Sequence, residues 1–259
     1  MFEFPYIVAV SGDLLSFHPF WVKPLNEKIL ETMKNVRRVN FPQSFNHPID
    51  NLPDNIEEIY LNFSFNQSID NLPKSVKKII IYGIFNRPLN NLPEKLEELL
   101  MDNNFNYPLD NLPSTLIRLY LGHGFNQPLD NLPSNLKYLE FGASFNQPLD
   151  FLPVNLKVIK FGLFFNQDVD NLPSGLVGIK FGDTFNKPVN NLPKNLRAIS
   201  FGIEFNQSID NLPKKIRFLK LSQNYTHTIK KLPKCLEELT IPKNFRTNIP
   251  KTNAKIKYY

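Results

Sequence analysis

The stretches FNQPLDNLPSNLKYLEFGAS (residues 125–144) and FNKPVNNLPKNLRAISFGIE (residues 185–204) share one twenty-residue pattern, and working outward from them the period never slips. Phe45, Phe65, Phe85, Phe105, Phe125, Phe145, Phe165, Phe185, Phe205 and Phe245 fall on it, and Tyr225 fills the one gap. Asparagine follows the aromatic at Asn46, Asn66, Asn86, Asn106, Asn126, Asn146, Asn166, Asn186 and Asn206, and fails only at Thr226 and Arg246. An aliphatic residue stands four positions after the aromatic, from Ile49 to Ile249, and Leu-Pro recurs from Leu52-Pro53 to Leu232-Pro233.

The second half of each unit reads as a strand. In Leu116-Ile117-Arg118-Leu119-Tyr120-Leu121 and in Leu196-Arg197-Ala198-Ile199-Ser200-Phe201 the last four residues alternate polar and apolar, the period of a half-buried strand. Glycine follows at 122, 142, 162, 182 and 202, where the chain must turn. The proline after Leu52 and its equivalents has no N–H and a fixed φ, so that limb is neither helix interior nor central strand. Twenty residues, with about five spent on the strand, leave no room for a full outer helix. One coil alone buries too little to offset the entropy of ordering it, so the coils must stack. The expected fold is a β-rich solenoid with one parallel sheet of about 11–12 short strands, twenty residues per coil and little or no helix on the convex side. The phenylalanines should form a continuous core stack. The asparagines, read as buried carboxamides, should repeat as a ladder that satisfies backbone N–H and C=O groups from coil to coil.

Composition agrees. The 259 residues contain 22 Pro and 10 Gly, an ordinary load that argues against low-complexity disorder. No apolar run approaches the roughly 18 residues that cross a bilayer. Cys235 is the single cysteine and has no internal partner, which points to a reducing compartment. The first basic side chain is Lys23, and Glu3 and Pro5 interrupt the opening, so no export signal is expected. The net charge of +6 is spread along the chain rather than gathered in runs, unlike a typical nucleic-acid binder.

The units from residue 45 to residue 259 resemble the FNIP repeats of social amoebae and of the giant viruses that infect amoebae. The resemblance implies a leucine-rich-repeat-like, right-handed coil, and Leu-x-x-Leu-x-Leu fits it. The usual leucine-rich-repeat asparagine would lie at 104, 124 or 144, where this chain has Asn104, Gly124 and Ser144, so the turn after the strand should differ. The implied organisation is an N-terminal cap over residues 1–44, ten repeats over 45–244 and a partial C-terminal repeat over 245–259. Family members often carry an F-box and serve as interaction proteins, some as substrate receptors of ubiquitin ligases. Residues 1–35 are too short for a three-helix F-box: Phe2, Phe4, Tyr6, Val8 and Val10 alternate like a strand. Asn26 then either caps a short helix burying Ile29, Leu30 and Met33 or belongs to a degraded coil. Lys251, Lys255 and Lys257 would blunt the open C-terminal edge. The single cysteine and the opening residues suggest the cytoplasm, a host cytoplasm if the chain is viral.

Chemistry is sparse. His18, His47, His123, His227 and Cys235 sit at variable positions, with no zinc spacing and no phosphate loop, so no enzyme, cofactor or metal is expected. Asp50, Asp70, Asp110, Asp130, Asp150, Asp170 and Asp210 form a carboxylate row that reads as turn residues bonding their own backbone. Asn66-Gln67-Ser68 and Asn206-Gln207-Ser208 match glycosylation acceptors, at asparagines expected to be buried. The outward strand positions read Tyr60, Ile80, Tyr82, Leu100, Tyr120 and Tyr138 first, then Glu140, Lys160, Lys180, Ser200 and Lys220. The expected function is a non-enzymatic scaffold docking a protein, such as a host protein, on this face, with tyrosines as anchors and lysines steering an acidic region. Two alternatives stay open: a ubiquitin-ligase substrate receptor, and nucleic-acid binding on the Lys160, Lys180 and Lys220 row.

Overall fold

Every coil is closed by two tight turns. At the first, the carbonyl of the Leu-Pro proline accepts the N–H three residues on, as in Ile56 to Pro53 (3.1 Å), Leu116 to Pro113 (3.1 Å) and Leu196 to Pro193 (3.1 Å). The ring fixes φ and the carbonyl starts the turn, so the proline aims the chain back toward the sheet. At the second, the chain turns ahead of the aromatic, whose own N–H reaches back across the corner in Phe45 to Pro42 (3.1 Å), Phe65 to Asn62 (3.0 Å) and Phe245 to Pro242 (3.0 Å). Between the corners runs one short strand per coil.

The computed structural model describes residues 7–259, so Phe2, Phe4 and Tyr6 of the expected N-terminal strand lie outside the described residues. The chain divides into two compact units, Met1–Phe125 and Asn126–Tyr259. Both are β-solenoids with parallel strands in sequence order. The first unit opens with β1 (Ile7–Ser11) and β2 (Leu14–Phe17), an antiparallel hairpin that turns at Gly12 with φ 61°. Helix α1 (Glu27–Met33) then crosses to β3 (Arg38–Asn40), which pairs parallel with β2. Asn26 caps α1, its Oδ1 accepting from the Ile29 N–H at 3.0 Å, and Ile29 and Met33 are buried while Leu30 is only half-buried. The segment is therefore a hairpin followed by an irregular coil whose return limb is the capped helix: Trp21 stacks on Phe45 at 5.2 Å and Phe17 on Phe41 at 5.4 Å, in a register different from the Leu25-Asn26 one that the sequence suggests. Strands β4 (Glu58–Leu61), β5 (Lys78–Ile81), β6 (Glu98–Met101) and β7 (Arg118–Leu121) follow in parallel.

The second unit holds β8 (Tyr138–Phe141), β9 (Val158–Lys160), β10 (Gly178–Lys180), β11 (Ala198–Ser200), β12 (Phe218–Lys220), β13 (Glu238–Ile241) and β14 (Lys255–Tyr258). Residues pair with those twenty positions on until the last step, where Glu238 pairs with Lys255 and the coil is shorter. Tyr259 closes this end, its hydroxyl donating to the Leu221 carbonyl at 3.0 Å.

The aromatic rings lie in the core. In the first unit Phe45, Phe65, Phe85, Phe105 and Phe125 stack with centres 6.4, 6.3, 6.2 and 6.1 Å apart. In the second, Phe145, Phe165, Phe185, Phe205, Tyr225 and Phe245 stack at 6.1, 6.0, 6.0, 6.3 and 6.4 Å. Parallel strands repeat at about 4.8 Å. The coils of each unit therefore splay at the rings, and each sheet takes the inner side of its unit's curve. The second unit also carries a second column, Phe141, Phe161, Phe181 and Phe201, with Phe161, Phe181 and Phe201 each 3.7–3.8 Å from the first-column ring of the same coil.

Tyr225 breaks the column's chemistry. It is 4% exposed and its hydroxyl has no hydrogen-bond partner. Burial, only partly offset by the nearby Ile209 backbone, pushes the phenol pKa up to about 12. Removing an unsatisfied buried donor should help, so Tyr225→Phe is expected to raise the unfolding free energy by about 1 kcal/mol and the urea midpoint with it. An unchanged or lower midpoint would show that the hydroxyl is bonded in solution.

The asparagine ladder runs on the surface. Asn46 Oδ1 accepts from the Asn66 N–H at 2.9 Å, and the same bond recurs from Asn66 to Asn86, Asn86 to Asn106, Asn126 to Asn146, Asn146 to Asn166, Asn166 to Asn186 and Asn186 to Asn206. Thr226 takes the last one, on Asn206. The carboxamide oxygen is what the repeat uses, to satisfy an N–H that has no strand partner. These side chains are exposed or half-buried rather than buried, because they stand at the outside of the corner. Asn66 and Asn206 are half-buried too, so burial does not shield them from modification.

Two of the aspartates, Asp70 and Asp210, also bond the backbone of the next coil. Asp70 Oδ1 accepts from the Asn90 and Asn91 N–H groups at 2.9 and 3.2 Å, and Asp210 Oδ1 from Lys230 and Lys231 at 3.0 and 3.4 Å. Burial pushes the Asp70 carboxyl up, but the two backbone donors outweigh it and hold its pKa below the usual value. A depressed folded pKa adds stability above the unfolded value, and that stability is lost as pH falls through the folded one. The stability difference between the native chain and Asp70→Asn is therefore expected to be largest at neutral pH and to shrink as pH drops from about 5 to about 2. A pH-independent difference in urea titrations would contradict this.

Candidate functional site

Two outward rows of side chains line the inner sheet face of each unit. In the first unit one row reads Arg38, Glu58, Lys78, Glu98 and Arg118, and the next reads Asn40, Tyr60, Ile80, Leu100 and Tyr120. The charges alternate in sign from coil to coil, and the pairs close on each other: Arg38 on Asp13 at 2.5 Å and Lys78 on Glu98 at 3.4 Å. Arg37 and Lys77 also share Glu57, at 3.6 and 3.0 Å. Tyr60 donates to Glu58 at 2.6 Å, and burial together with this carboxylate pushes its pKa up to about 12. The charges of this face up to Glu98 are paired or hydrogen-bonded, while Arg118 is exposed and makes no ion pair. The face presents half-buried Tyr60, Leu100 and Tyr120 beside these charges.

Two of the expected anchors sit differently. Ile80 is 7% exposed, covered by its neighbours, and offers a partner almost nothing. Tyr82 lies one residue beyond β5 and is exposed where the chain turns at Gly83 (φ 97°), although its N–H still makes the next parallel-ladder bond, to the Leu61 carbonyl at 2.8 Å.

The second unit's face is built from Tyr138, Val158, Gly178, Ala198, Phe218 and Glu238 in one row and Glu140, Lys160, Lys180, Ser200, Lys220 and Thr240 in the other. Its acids are taken. Glu140 holds Lys160 at 3.2 Å, Glu237 holds Arg217 at 2.6 Å and Glu238 holds Lys257 at 2.6 Å. Tyr138 donates to Glu140, and Lys160 lies 5.2 Å from the Tyr138 ring centre. Burial and then Glu140 push the Tyr138 pKa up to about 12, while the Tyr138 hydroxyl and then Glu140 hold the Lys160 ammonium above its ordinary value. Lys180 is exposed and makes no ion pair, and Lys220 rests over the Tyr259 ring at 4.3 Å. Between the rows lies a groove of 340 Å³ floored by Gly178 and Ala198.

Cys235 is exposed, and His47 spends Nε2 on the Val22 carbonyl at 2.7 Å. Among the described residues no group of three or more His, Cys, Asp or Glu is arranged to hold a metal, and no helix is long and apolar enough to cross a membrane.

The coil geometry is matched by comparison with known proteins. The FNIP Repeat family model matches residues 45–83, 125–164, 165–204 and 188–224. The chain belongs to the FNIP repeat family. Among solved structures it is similar to CroV588, a circular LRR protein of a giant virus, at 30% identity and TM-score 0.68. That match covers 92% of this chain and 45% of CroV588, so the FNIP chain spans less than half of that protein's length. It is also similar to YopM from Yersinia enterocolitica, at 21% identity over 86% of this chain and 63% of that one, with TM-score 0.49. An internalin, InlF, from Listeria monocytogenes matches at 15% identity over 89% of this chain and 75% of that one, with TM-score 0.54. No curated protein matches.

What the sequence reading missed is the small and the paired. Val158, Gly178, Ala198 and Phe218 form a row that a search for prominent tyrosines and lysines passes over. The sign alternation of Arg38, Glu58, Lys78, Glu98 and Arg118 becomes visible only when residues twenty apart are read as neighbours.

Proposed function

We propose that this FNIP protein is a non-enzymatic interaction scaffold that docks a partner protein on the outward face of its sheet, chiefly that of the second unit. The observation that carries this reading is the uncompensated charge beside apolar surface: exposed Lys180 and Lys220 flank a groove closed at its ends by Val158 and Phe218, the latter 45% exposed. Apolar area supplies affinity, and unpaired like charges supply orientation and on-rate toward an acidic partner. Nucleic acid is the weaker reading for the same lysines. Lys160 is already neutralised by Glu140, and the ring that would stack a base, Phe218, already carries the Arg217 guanidinium at 5.7 Å.

Affinity capture with the full chain, compared with Lys180→Glu/Lys220→Glu and with Tyr60→Ser/Tyr120→Ser, tests the assignment. The charge-reversed protein is expected to lose its partner at least about tenfold, and the tyrosine variant to lose less. Undiminished capture by a folded Lys180→Glu/Lys220→Glu protein would reject the second unit's face.

A further inference from the structure

We infer that the gap over Gly178 and Ala198 is a specificity notch that receives one large apolar side chain from an extended acidic segment of the partner, with Lys180 pairing the adjacent carboxylate. This rests on the docking role proposed above and gives it a ligand class.

The gap is not a by-product of coil packing. Gly162, Gly182 and Gly202 are forced by it, because a Cβ at any of them would lie under 3.0 Å from backbone of the preceding coil. At Gly178 an added Cβ would meet only the Val158 methyls, at 3.6 and 3.8 Å, which is ordinary contact. Its φ is not positive either, so a side chain is permitted on both counts. Glycine in a strand gives up packing and entropy, a loss of about 0.5–1 kcal/mol against alanine. A strand residue that could carry a side chain, costs stability without one and lies on the outward face leaves a hole for something else. Ala198, its pairing partner on β11, widens the hole by one more coil.

The surroundings specify the occupant. At 340 Å³ the groove is at the lower end of ligand sites, about 300–1,000 Å³, so it suits a side chain and its backbone rather than a whole cofactor. Val158 closes one end of its floor and Phe218 the other, both apolar. Lys160, Lys180, Ser200 and Lys220 form one rim, and of the nearby acids Glu140 and Glu238 are already paired. A bound carboxylate would thus meet Lys180 without a competing anion. An apolar residue flanked by Glu or Asp satisfies both features, whereas a basic segment would place like charges on the rim.

The test uses the full-length chain and fluorescent peptides in which a single leucine is flanked by glutamates, with leucine-to-serine and glutamate-to-lysine peptides and an oligo-dT strand as comparators. Fluorescence anisotropy should show the Glu-Leu-Glu type binding best. Gly178→Leu, which fills the notch, should weaken it about tenfold or more without lowering the melting temperature, and Lys180→Glu should do the same. Ala198→Leu repeats the block at the neighbouring position should Gly178→Leu not fold. Unchanged affinity in the notch-filled variants, with loss in Lys180→Glu, would overturn the notch and leave the docking face standing. Affinity untouched by every variant, or absent in the native chain, would overturn both. Tighter binding of oligo-dT, insensitive to Gly178→Leu, would reassign the lysines to nucleic acid and overturn the proposal.

Discussion

Phe165→Ala is expected to cost about 5 kcal/mol, the upper end of the range for deleting a buried phenylalanine, and Phe65→Ala about 3. Both rings are 0% exposed, so the lost transfer energy is the same, and the difference lies in what can move into the hole. Phe165 stands between Phe145 and Phe185 at 6.1 and 6.0 Å and is also pressed by Phe161 at 3.8 Å within its own coil. Those rings are each fixed to a separate turn of backbone, with two χ angles and little freedom to follow the void. Phe65 has stacking partners at 6.4 and 6.3 Å, but the strand residue beside it is Leu61, whose flexible branch can lean inward. Since whole domains are stable by only about 5–15 kcal/mol, Phe165→Ala approaches loss of the second unit's fold. Urea unfolding followed by far-ultraviolet circular dichroism measures the pair, and Phe165→Leu keeps the comparison measurable where alanine leaves nothing to melt. Equal costs for the two alanine variants would show that the second phenylalanine column does not stiffen the core.

That second column also marks how far the sequence could be read. A residue invariant at one register, such as Phe65 through Phe205, announces a stacked core because only stacking makes the same choice useful so many times. Phe141, Phe161, Phe181 and Phe201 occupy a register that holds Phe41, Leu61, Ile81, Met101 and Leu121 in the first unit, so the position reads merely as apolar. Its rings become a column only once coils are superposed. The asparagines were legible as a ladder but not as a surface one: regular spacing says that a bond recurs from coil to coil and says nothing of which side of the corner it occupies. The outward strand rows were legible by parity where strands hold, and Tyr82, exposed as expected, falls one residue beyond its strand. Gly178 escaped because an outward position is noticed for the side chain it carries, and here the feature is the missing one.

The contrast between two glycines four residues apart is the sharper test of the packing. Gly182→Ala is expected to destabilise the chain by about 3 kcal/mol, the upper end of overpacking costs. Gly178→Ala should be neutral or stabilise by about 0.5 kcal/mol. Propensity predicts the same sign for both, since alanine is the less flexible residue in the unfolded chain. Geometry predicts opposite signs. At Gly182 the added methyl would fall inside the Gly162 carbonyl group, and Gly162 in turn sits against the Gly142 carbonyl, so relief requires the coils to part along a row of backbone rather than one side chain to turn. Parting them would stretch the neighbouring ladder bonds, including Phe161 N–H to the Lys180 carbonyl at 2.8 Å and Phe181 N–H to the Ser200 carbonyl at 2.9 Å. In the first unit the same register holds Asn62, Tyr82 and Asp102 before Gly122, and the backbone there takes positive φ at Gly83 (97°) and Asn103 (42°), which the second unit's stacked glycines do not. Thermal melts of the two single variants decide the matter. A matched shift in both would mean that coil spacing at the strand ends is loose, and that the close backbone contact between successive glycines is not what sets the rise of the second unit.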